Sequence, residues 1–407
     1  MELLSPAGNM AKLEAAVAYG ADAVYFSGAE YGLRAYAGNF TEEEIGSAMK
    51  YLHNRGKKGY LAVNAYARDH EIPGLKDYLK KMAALEVDAF IISDPGVFWL
   101  AADTAPNIDR FISTQANTTN SSAVRFWAEQ GAKRVILARE LSKEELAAMS
   151  HKPSCELEVF AHGALCISYS GRCLISAYMS GRDANRGECA QPCRWKYKSA
   201  AIREETRRNQ DMEIAEDKAG TYLYNAKDLC LINRVGELAK IGITSLKIEG
   251  RMKSVMYVAV VTGVYRRAID LALKNPEEYS ADPYWRTLLE SVSNRSYTEG
   301  FYAGVPDRDA MNYDSSAYIR NSDFLGVARG NNGNCLEVEC TGKFITGETL
   351  SLLTPELKEY DLTVKEIRNS KGVSLEFSRS NEIMTIPSDI RAPKLSILRR
   401  ILIPTCN

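Results

Sequence analysis

Short apolar, β-branched runs alternate from the first residues with longer stretches whose apolar positions recur every three or four residues, the pattern of a parallel α/β architecture. Eight runs read as strands: Leu3 to Ser5, Ala23 to Phe26, Tyr60 to Val63, Phe90 to Ser93, Phe111 to Ser113, Val135 to Leu137, Leu157 to Phe160 and Ser245 to Ile248. Eight such strands separated by helices predict a closed (β/α)8 barrel of the TIM type. The helices have legible ends. Thr41 with Glu44 and Ser142 with Glu145 fit capping boxes, and Gly20, Gly56, Gly131 and Gly242 stand where helices stop. Tyr19-Gly20-Ala21-Asp22, Gln130-Gly131-Ala132-Lys133 and Ile241-Gly242-Ile243-Thr244 lead into the second, sixth and eighth strands, with Leu85-Glu86-Val87-Asp88 a weaker copy before the fourth. A repeated βαβα unit and the general habit of glycine at helix ends both account for this.

One connection breaks the rhythm. Between the seventh strand, ending near Ala161, and a helix expected near Asp228 lie roughly 65 residues, where a barrel loop takes about 2–6. Such an insert, over about 163–227 of a barrel spanning 1–318, is expected to carry function. From Phe324 onward short alternating runs follow, among them Cys335 to Glu339, Leu350 to Leu353 and Val373 to Phe377, with Asn, Gly and Asp between. They predict a small antiparallel β-barrel over 319–407.

Composition narrows the class. With 45% hydrophobic and 25% charged residues in 407, the composition is that of a folded protein long enough for two domains, and disorder is not indicated. The N-terminus, Met1-Glu2-Leu3-Leu4-Ser5-Pro6, lacks a signal peptide's basic start and apolar stretch, and no run approaches membrane-spanning length, so a cytoplasmic location is expected. There the nine cysteines stay reduced, which points to metal ligation or buried thiols before disulfides. A net charge of −1 argues against a broadly basic nucleic-acid surface, so any RNA contact must use local patches.

A barrel gathers the residues that follow its strands on one face, where active sites lie. Here these include Asn64, Gln115, Arg139, His162 and Glu249-Gly250-Arg251. The insert adds Cys166, Cys173, Cys189 and Cys193, and Cys230 is placed in the helix that follows, so five of the nine cysteines fall within 65 residues. Thiolates separated by turns suit a soft metal, iron–sulfur or zinc. The paired Cys-x-x-Cys knuckles of zinc ribbons are absent, which favours a cluster. Cys155, Cys335 and Cys340 sit beside strand-like runs and read as buried small hydrophobes.

Glu158-Val159-Phe160-Ala161-His162-Gly163-Ala164-Leu165-Cys166 followed by Gly171-Arg172-Cys173-Leu174-Ile175-Ser176 resembles the signature of the U32, or collagenase-like, peptidase family. The likeness continues through Asn185 to Arg194, Lys247 to Ser254, Asn294-Arg295 and Gly300-Phe301-Tyr302, and at Ser5-Pro6-Ala7-Gly8 and Arg34 to Phe40. It extends more loosely to the family's C-terminal β-domain. The family was named for proteolysis, yet relatives serve 5-hydroxyuridine formation in tRNA, ribosomal-RNA cytidine hydroxylation and ubiquinone hydroxylation. The resemblance implies a [4Fe-4S] cluster on Cys166, Cys173, Cys189 and Cys230, with the role of Cys193 open and zinc as the other occupant. The tRNA-hydroxylating branch shares this barrel-plus-β-domain layout, and the resemblance implies tRNA as partner and prephenate, a small carboxylate, as co-substrate. A partner protein is compatible with this.

A protease needs an activated nucleophile or a metal-bound water. Neither a His-Glu-x-x-His nor a Gly-x-Ser-x-Gly string occurs, and of four histidines only His162 neighbours a cysteine at the site face. A Cys166–His162 dyad is conceivable; His162 reads equally as a hydrogen-bonded residue at a strand end. The candidate catalytic residues are His162, Glu249 and Arg251. Arg34, Asn64, Gln115, Arg139 and Lys247 are the candidates for substrate binding. Lys247 and Glu249 alternate with apolar Leu246 and Ile248, so both are expected inside the barrel, in a network with Arg251 or as an anion-binding group. Arg194, Trp195, Lys196, Tyr197 and Lys198, with Arg203, Arg207 and Arg208, interleave charge and aromatics as RNA contacts do, though a solvated charged loop fits that run almost as well.

Overall fold

Each of the eight runs forms a strand. The computed structural model describes residues 1–33, 38–166, 168–186, 188–195, 215–217, 220–222, 226–306, 310–312 and 318–402. The strands β1 (Glu2–Pro6), β2 (Ala23–Phe26), β3 (Lys58–Val63), β4 (Ala89–Ile92), β5 (Asp109–Ile112), β6 (Arg134–Ile136) and β7 (Glu156–Ala164) each pair in parallel with the next. A hairpin of β8 (Ala215–Asp217) and β9 (Gly220–Tyr222), then β10 (Asp228–Cys230), precede β11 (Ser245–Ile248). Parallel pairing of β11 with both β7 and β1 closes the barrel at eight strands. β2 and β4 are buried along their whole length, as strands covered on both faces must be.

The outer layer comprises α1 (Met10–Ala18), α2 (Glu42–His53), α3 (Ile72–Ala84), α4 (Pro95–Thr104), α5 (Ser121–Glu129) and α6 (Lys143–Ser150). The short α7 (Ile175–Ser180) lies in the insert, and α8 (Val235–Lys240), α9 (Val255–Lys274) and α10 (Pro283–Ser291) follow. Both capping boxes form, at Thr41 and at Ser142. The helix-stop glycines Gly20, Gly56, Gly131 and Gly242 all take positive φ, and the weaker copy achieves the same turn with Glu86 at φ 60°. Among the described residues no helix is long and apolar enough to cross a membrane.

The segment after the insert differs from expectation. Asp228–Cys230 does not open a helix; it is the strand β10, antiparallel to β7, with Cys230 opposite His162. β7 runs on through Ala164, where β10 supplies partners for its backbone groups, and β12 (Tyr297–Thr298) pairs in turn with β10.

The remaining strands are β13 (Ser322–Asn332), β14 (Cys335–Cys340), β15 (Thr349–Leu353), β16 (Glu359–Thr363), β17 (Ile367–Arg368), β18 (Ser374–Leu375), β19 (Ile383–Pro387) and β20 (Ile397–Ile401). They form an eight-stranded antiparallel sheet, ordered β16-β15-β20-β13-β14-β19-β17-β18, around a separate core that includes Leu336, Val338, Phe344, Leu352 and Met384. It is seated firmly on the barrel. Tyr19 donates to the carbonyls of Leu353 and Leu395, both at 3.1 Å, and buried Arg399 reaches Ser291 Oγ at 2.7 Å.

Candidate active site

The carboxyl ends of the barrel strands, the insert and one end of the central strands β13 and β20 of the terminal sheet enclose a cavity of about 1010 Å³. The barrel contributes Tyr25, Asn64, Gln115, Arg139, Phe160, Lys247, Glu249 and Arg251; the insert Cys166, Cys173, Cys189 and Cys193; the terminal segment Tyr318, Arg320, Lys343 and Arg400. Eight Lys or Arg residues and two carboxylates line it, in a chain whose net charge is −1. The positive charge missing from the chain as a whole is concentrated here.

Local structure holds the cysteine loops over the barrel mouth. Gly171 lies against the Gln115 backbone so closely that a Cβ would stand 2.2 Å from its carbonyl oxygen, at a φ of +75°. Arg186 donates to Tyr66 O at 2.6 Å and to Glu71, whose carboxyl it holds down at about 2. Asn185 Nδ2 donates to Cys173 O at 3.0 Å, and Ser176 Oγ accepts from Ala190 N at 2.9 Å. The protein around Cys166 pushes its thiol up, and Cys173 and Cys189 are close enough to add to that rise while Arg139 opposes it. Four thiols presented from turns to one cavity are a donor set suited in chemistry to an iron–sulfur cluster. Among the described residues, however, no group of three or more His, Cys, Asp or Glu side chains is drawn together tightly enough to hold a metal ion.

Cys230 is the departure from the expected ligand set. It is buried at the end of β10, does not line the cavity, and has Tyr265 Oη 3.9 Å from its sulfur. The antiparallel register with β7 directs it towards His162, while Cys193, whose role the sequence left open, faces the cavity.

His162 likewise stands outside the cavity, 1% exposed and ringed by Tyr257, Tyr265 and Tyr297, with Nδ1 3.4 Å from Tyr265 Oη. Burial, then the Lys253 and Arg286 cations, push its imidazole down to about 3. A neutral histidine sealed behind the strand is a packing residue, and the Cys166–His162 dyad is not assembled.

The expected Lys247–Glu249–Arg251 network is also not what forms. Lys247 Nζ turns inward to Glu158 at 3.3 Å, over the Tyr25 ring, and burial lowers its pKa. Glu158 also receives Arg134 Nη1 at 2.9 Å and Ser245 Oγ at 3.0 Å, so Lys247 caps a charged layer inside the barrel. Glu249 instead faces Arg139, 3.7 Å away, and accepts from Tyr25 Oη at 3.3 Å; Arg251 donates to Leu33 O. Alternation along β11 fixed which residues point inward but not how far each reaches. Asn64 lines the cavity while its Oδ1 accepts from Leu33 N at 3.0 Å, and Gln115 lines it with Oε1 buried and without a hydrogen bond. Arg34 and residues 196–214, with the basic run from Lys196 to Arg208, lie outside the described residues.

Sequence reasoning missed Lys253, Arg295, Tyr318, Arg320, Lys343 and Arg400 as site residues. One signal was available for Arg400. Adjacent arginines in a strand must face opposite ways, and Arg399 is buried at the seam while Arg400 reaches the cavity.

Fold and site together define a (β/α)8-barrel protein with a cysteine-lined, basic cavity at its mouth and an antiparallel sheet closing one side. Residues 8–312 match peptidase family U32, and residues 320–399 match the peptidase family U32 C-terminal domain. The chain belongs to peptidase family U32. It is 38% identical to tRNA hydroxylation protein P1 of Bacillus subtilis, over 93% of this chain and 89% of that one. It is 34% identical to tRNA hydroxylation protein P of Escherichia coli, over 98% and 96%. A Methanocaldococcus jannaschii protein described as an uncharacterized protease is 42% identical over 74% of this chain and 73% of its own.

Proposed function

We propose that this chain is a cytoplasmic RNA hydroxylase acting on tRNA, forming 5-hydroxyuridine at the wobble position. The observation that carries the reading is the coincidence, in one cavity, of four cysteines with eight basic side chains. The two relatives named for tRNA hydroxylation match along nearly their full length, which supports the same substrate class. Pockets for small ligands run to roughly 300–1,000 Å³. A cavity of about 1010 Å³ therefore has room for an unstacked nucleotide beside a small carboxylate such as prephenate. An anticodon loop presents such a base without the penalty of opening a duplex.

In this reading Cys166, Cys173, Cys189 and Cys193 would hold a [4Fe-4S] cluster, with Cys193 preferred to Cys230 because it lines the cavity. Such a cluster, when bound, supplies one-electron chemistry. The chain's own residues bind and orient: Arg139 and Arg251 take anionic groups at the mouth, Glu249 with Tyr25 presents a proton acceptor and donor, and Phe160 and Tyr25 exclude water.

Anaerobically prepared protein is expected to be brown, with Cys193→Ser and Cys173→Ser losing the absorption and Cys230→Ser keeping it. tRNA from cells lacking the protein should lose 5-hydroxyuridine derivatives by nucleoside mass spectrometry, and Cys173→Ser should not restore them. Colourless protein with stoichiometric zinc would remove the cluster from the reading. Unchanged nucleosides, with peptide cleavage by iron-free protein, would replace the reading with proteolysis.

A further inference from the structure

Where the terminal sheet meets the cavity, an exposed patch is left unused by the proposed chemistry. There the segment 343–346 runs antiparallel to 376–378. Ser378 N donates to Phe344 O at 2.9 Å, Thr346 N donates to Glu376 O at 3.2 Å, and Ile345 stands opposite Phe377. Side chains alternate along such a pair. Phe344 and Ser378 turn into the sheet's core and are buried, so Lys343, Ile345 and Phe377 share the outer face. Ile345 is 52% and Phe377 42% exposed, and Lys343 Nζ lies 4.1 Å from the centre of the Phe377 ring.

Single exposed apolar residues are ordinary on a protein surface. This group differs in its company and its place. Lys343 and Arg320 line the cavity, and both are exposed. Arg400 ties them to the sheet: its Nη2 donates to Lys343 O at 3.0 Å, and its guanidinium holds Asp323 at 3.2 Å and Glu348 at 3.1 Å. The patch therefore begins at the cavity wall with cations and runs outward to an aromatic face. A protein–protein interface is depleted of charge at its centre, whereas here two apolar side chains are interleaved with cations. That mixture is how proteins hold single-stranded nucleic acid, with cations on the phosphates and a ring under a base.

We propose that this outer face of the terminal sheet is an RNA-docking surface for the nucleotides beside the one that enters the cavity. A neighbouring base stacks on Phe377 against Ile345, and the phosphates between it and the cavity meet Lys343 and Arg320. Two anchors outside the cavity would hold an unpaired loop in place while one nucleotide is drawn in. The surface deepens the RNA-hydroxylase reading and rests on it for the identity of the RNA, an anticodon loop.

The test uses the full chain purified anaerobically. Binding of a labelled anticodon stem-loop RNA is followed by fluorescence anisotropy across a range of salt concentrations. The proteins are the parent, Phe377→Ala, Phe377→Leu, Phe377→Trp, Lys343→Gln and a remote control, Trp99→Ala, which removes a 72% exposed ring on α4. Phe377→Ala should weaken binding about five-fold or more, the low end of what a stacked base contributes. Phe377→Leu should lose as much, because it keeps apolar area without a ring, and Phe377→Trp should retain affinity. Lys343→Gln should lower the slope of log affinity against log salt by about 0.7, and the Phe377 variants should leave that slope alone. Should Phe377→Ala fail to fold, Phe377→Leu and Lys343→Gln carry the same comparison. No RNA binding by the parent, or unchanged affinity in folded variants, overturns the surface whether or not the chain hydroxylates RNA. Full affinity in Phe377→Leu, or Phe377-dependent binding of a gelatin peptide in place of RNA, assigns the patch to a protein partner and likewise overturns it. RNA binding that depends on Phe377, in a protein whose loss leaves tRNA nucleosides unchanged, leaves the surface standing and removes the hydroxylase reading.

Discussion

Replacing Glu158 with Gln should strand Lys247 more than Arg134, and the difference can be worked from the geometry. Arg134 keeps Glu2 and, at 2.7 Å, Glu156 when Glu158 is neutralised. Lys247 loses the carboxylate 3.3 Å from its nitrogen and keeps the faces of Tyr25 and Phe160, at 4.2 and 5.6 Å. Breaking a buried pair from one side typically costs about 3–5 kcal/mol. The lysine can also lose its proton, which from an ordinary value near 10.4 costs about 4.6 kcal/mol at pH 7, so the penalty has a ceiling close to the same size. With an unfolding entropy of ~2.1 cal/mol/K per residue over roughly 300 barrel residues, 3–4.5 kcal/mol lowers Tm by about 5–7 °C. The assay is thermal melting by far-ultraviolet circular dichroism of Glu158→Gln, Lys247→Met and the double variant. The double variant should recover more than half of the loss, because removing the ammonium removes the stranded charge. Additive losses, or a Glu158→Gln penalty under about 1 kcal/mol, would refute the assignment of Glu158 as the partner that holds Lys247 in the barrel.

Three further outcomes follow from single residues. Gly171→Ala has no room against Gln115 O and a φ of +75°, so the cysteine insert must lift from the barrel; bound iron and tRNA hydroxylation should fall at least ten-fold with far-ultraviolet dichroism unchanged, and full iron loading would contradict this. His162 has a folded-state pKa of about 3 against an ordinary 6.5, so the unfolded chain takes up the proton first as pH falls. The stability of the neutral buried ring is therefore complete above about pH 6.5 and lost towards pH 3, at up to ~1.4 kcal/mol per pH unit, and His162→Phe should flatten this limb of urea unfolding against pH; an unaltered slope would argue that the ring is not sealed. Glu86 occupies a left-handed turn at φ 60°, where glycine carries no Cβ penalty, so Glu86→Gly should raise stability by about 0.5–1 kcal/mol in urea denaturation. A loss of stability there would show that Glu86 makes a compensating contact.

The sequence by itself determined the barrel, because its evidence is local. The period of the apolar positions, the capping boxes at Thr41 and Ser142 and the turns at Gly20, Gly131 and Gly242 all act within a few residues, and each forms where the pattern put it. Alternation along β11 was enough to send Lys247 and Glu249 inward, and the length of the connection after β7 was enough to mark the insert. Tertiary structure decided which of these groups meet. The resemblance implied Cys230 as a ligand and left the role of Cys193 open; the antiparallel register of β10 on β7 turns Cys230 towards His162, while Cys193 lies at the cavity. Lys247 chose Glu158 over its strand neighbour Glu249, and Arg400, more than a hundred residues beyond the last barrel strand, entered the site because the terminal sheet docks through Tyr19 and Arg399. Side-chain reach and strand register are properties of closure in three dimensions, and a one-dimensional pattern of apolar and polar residues carries no record of them.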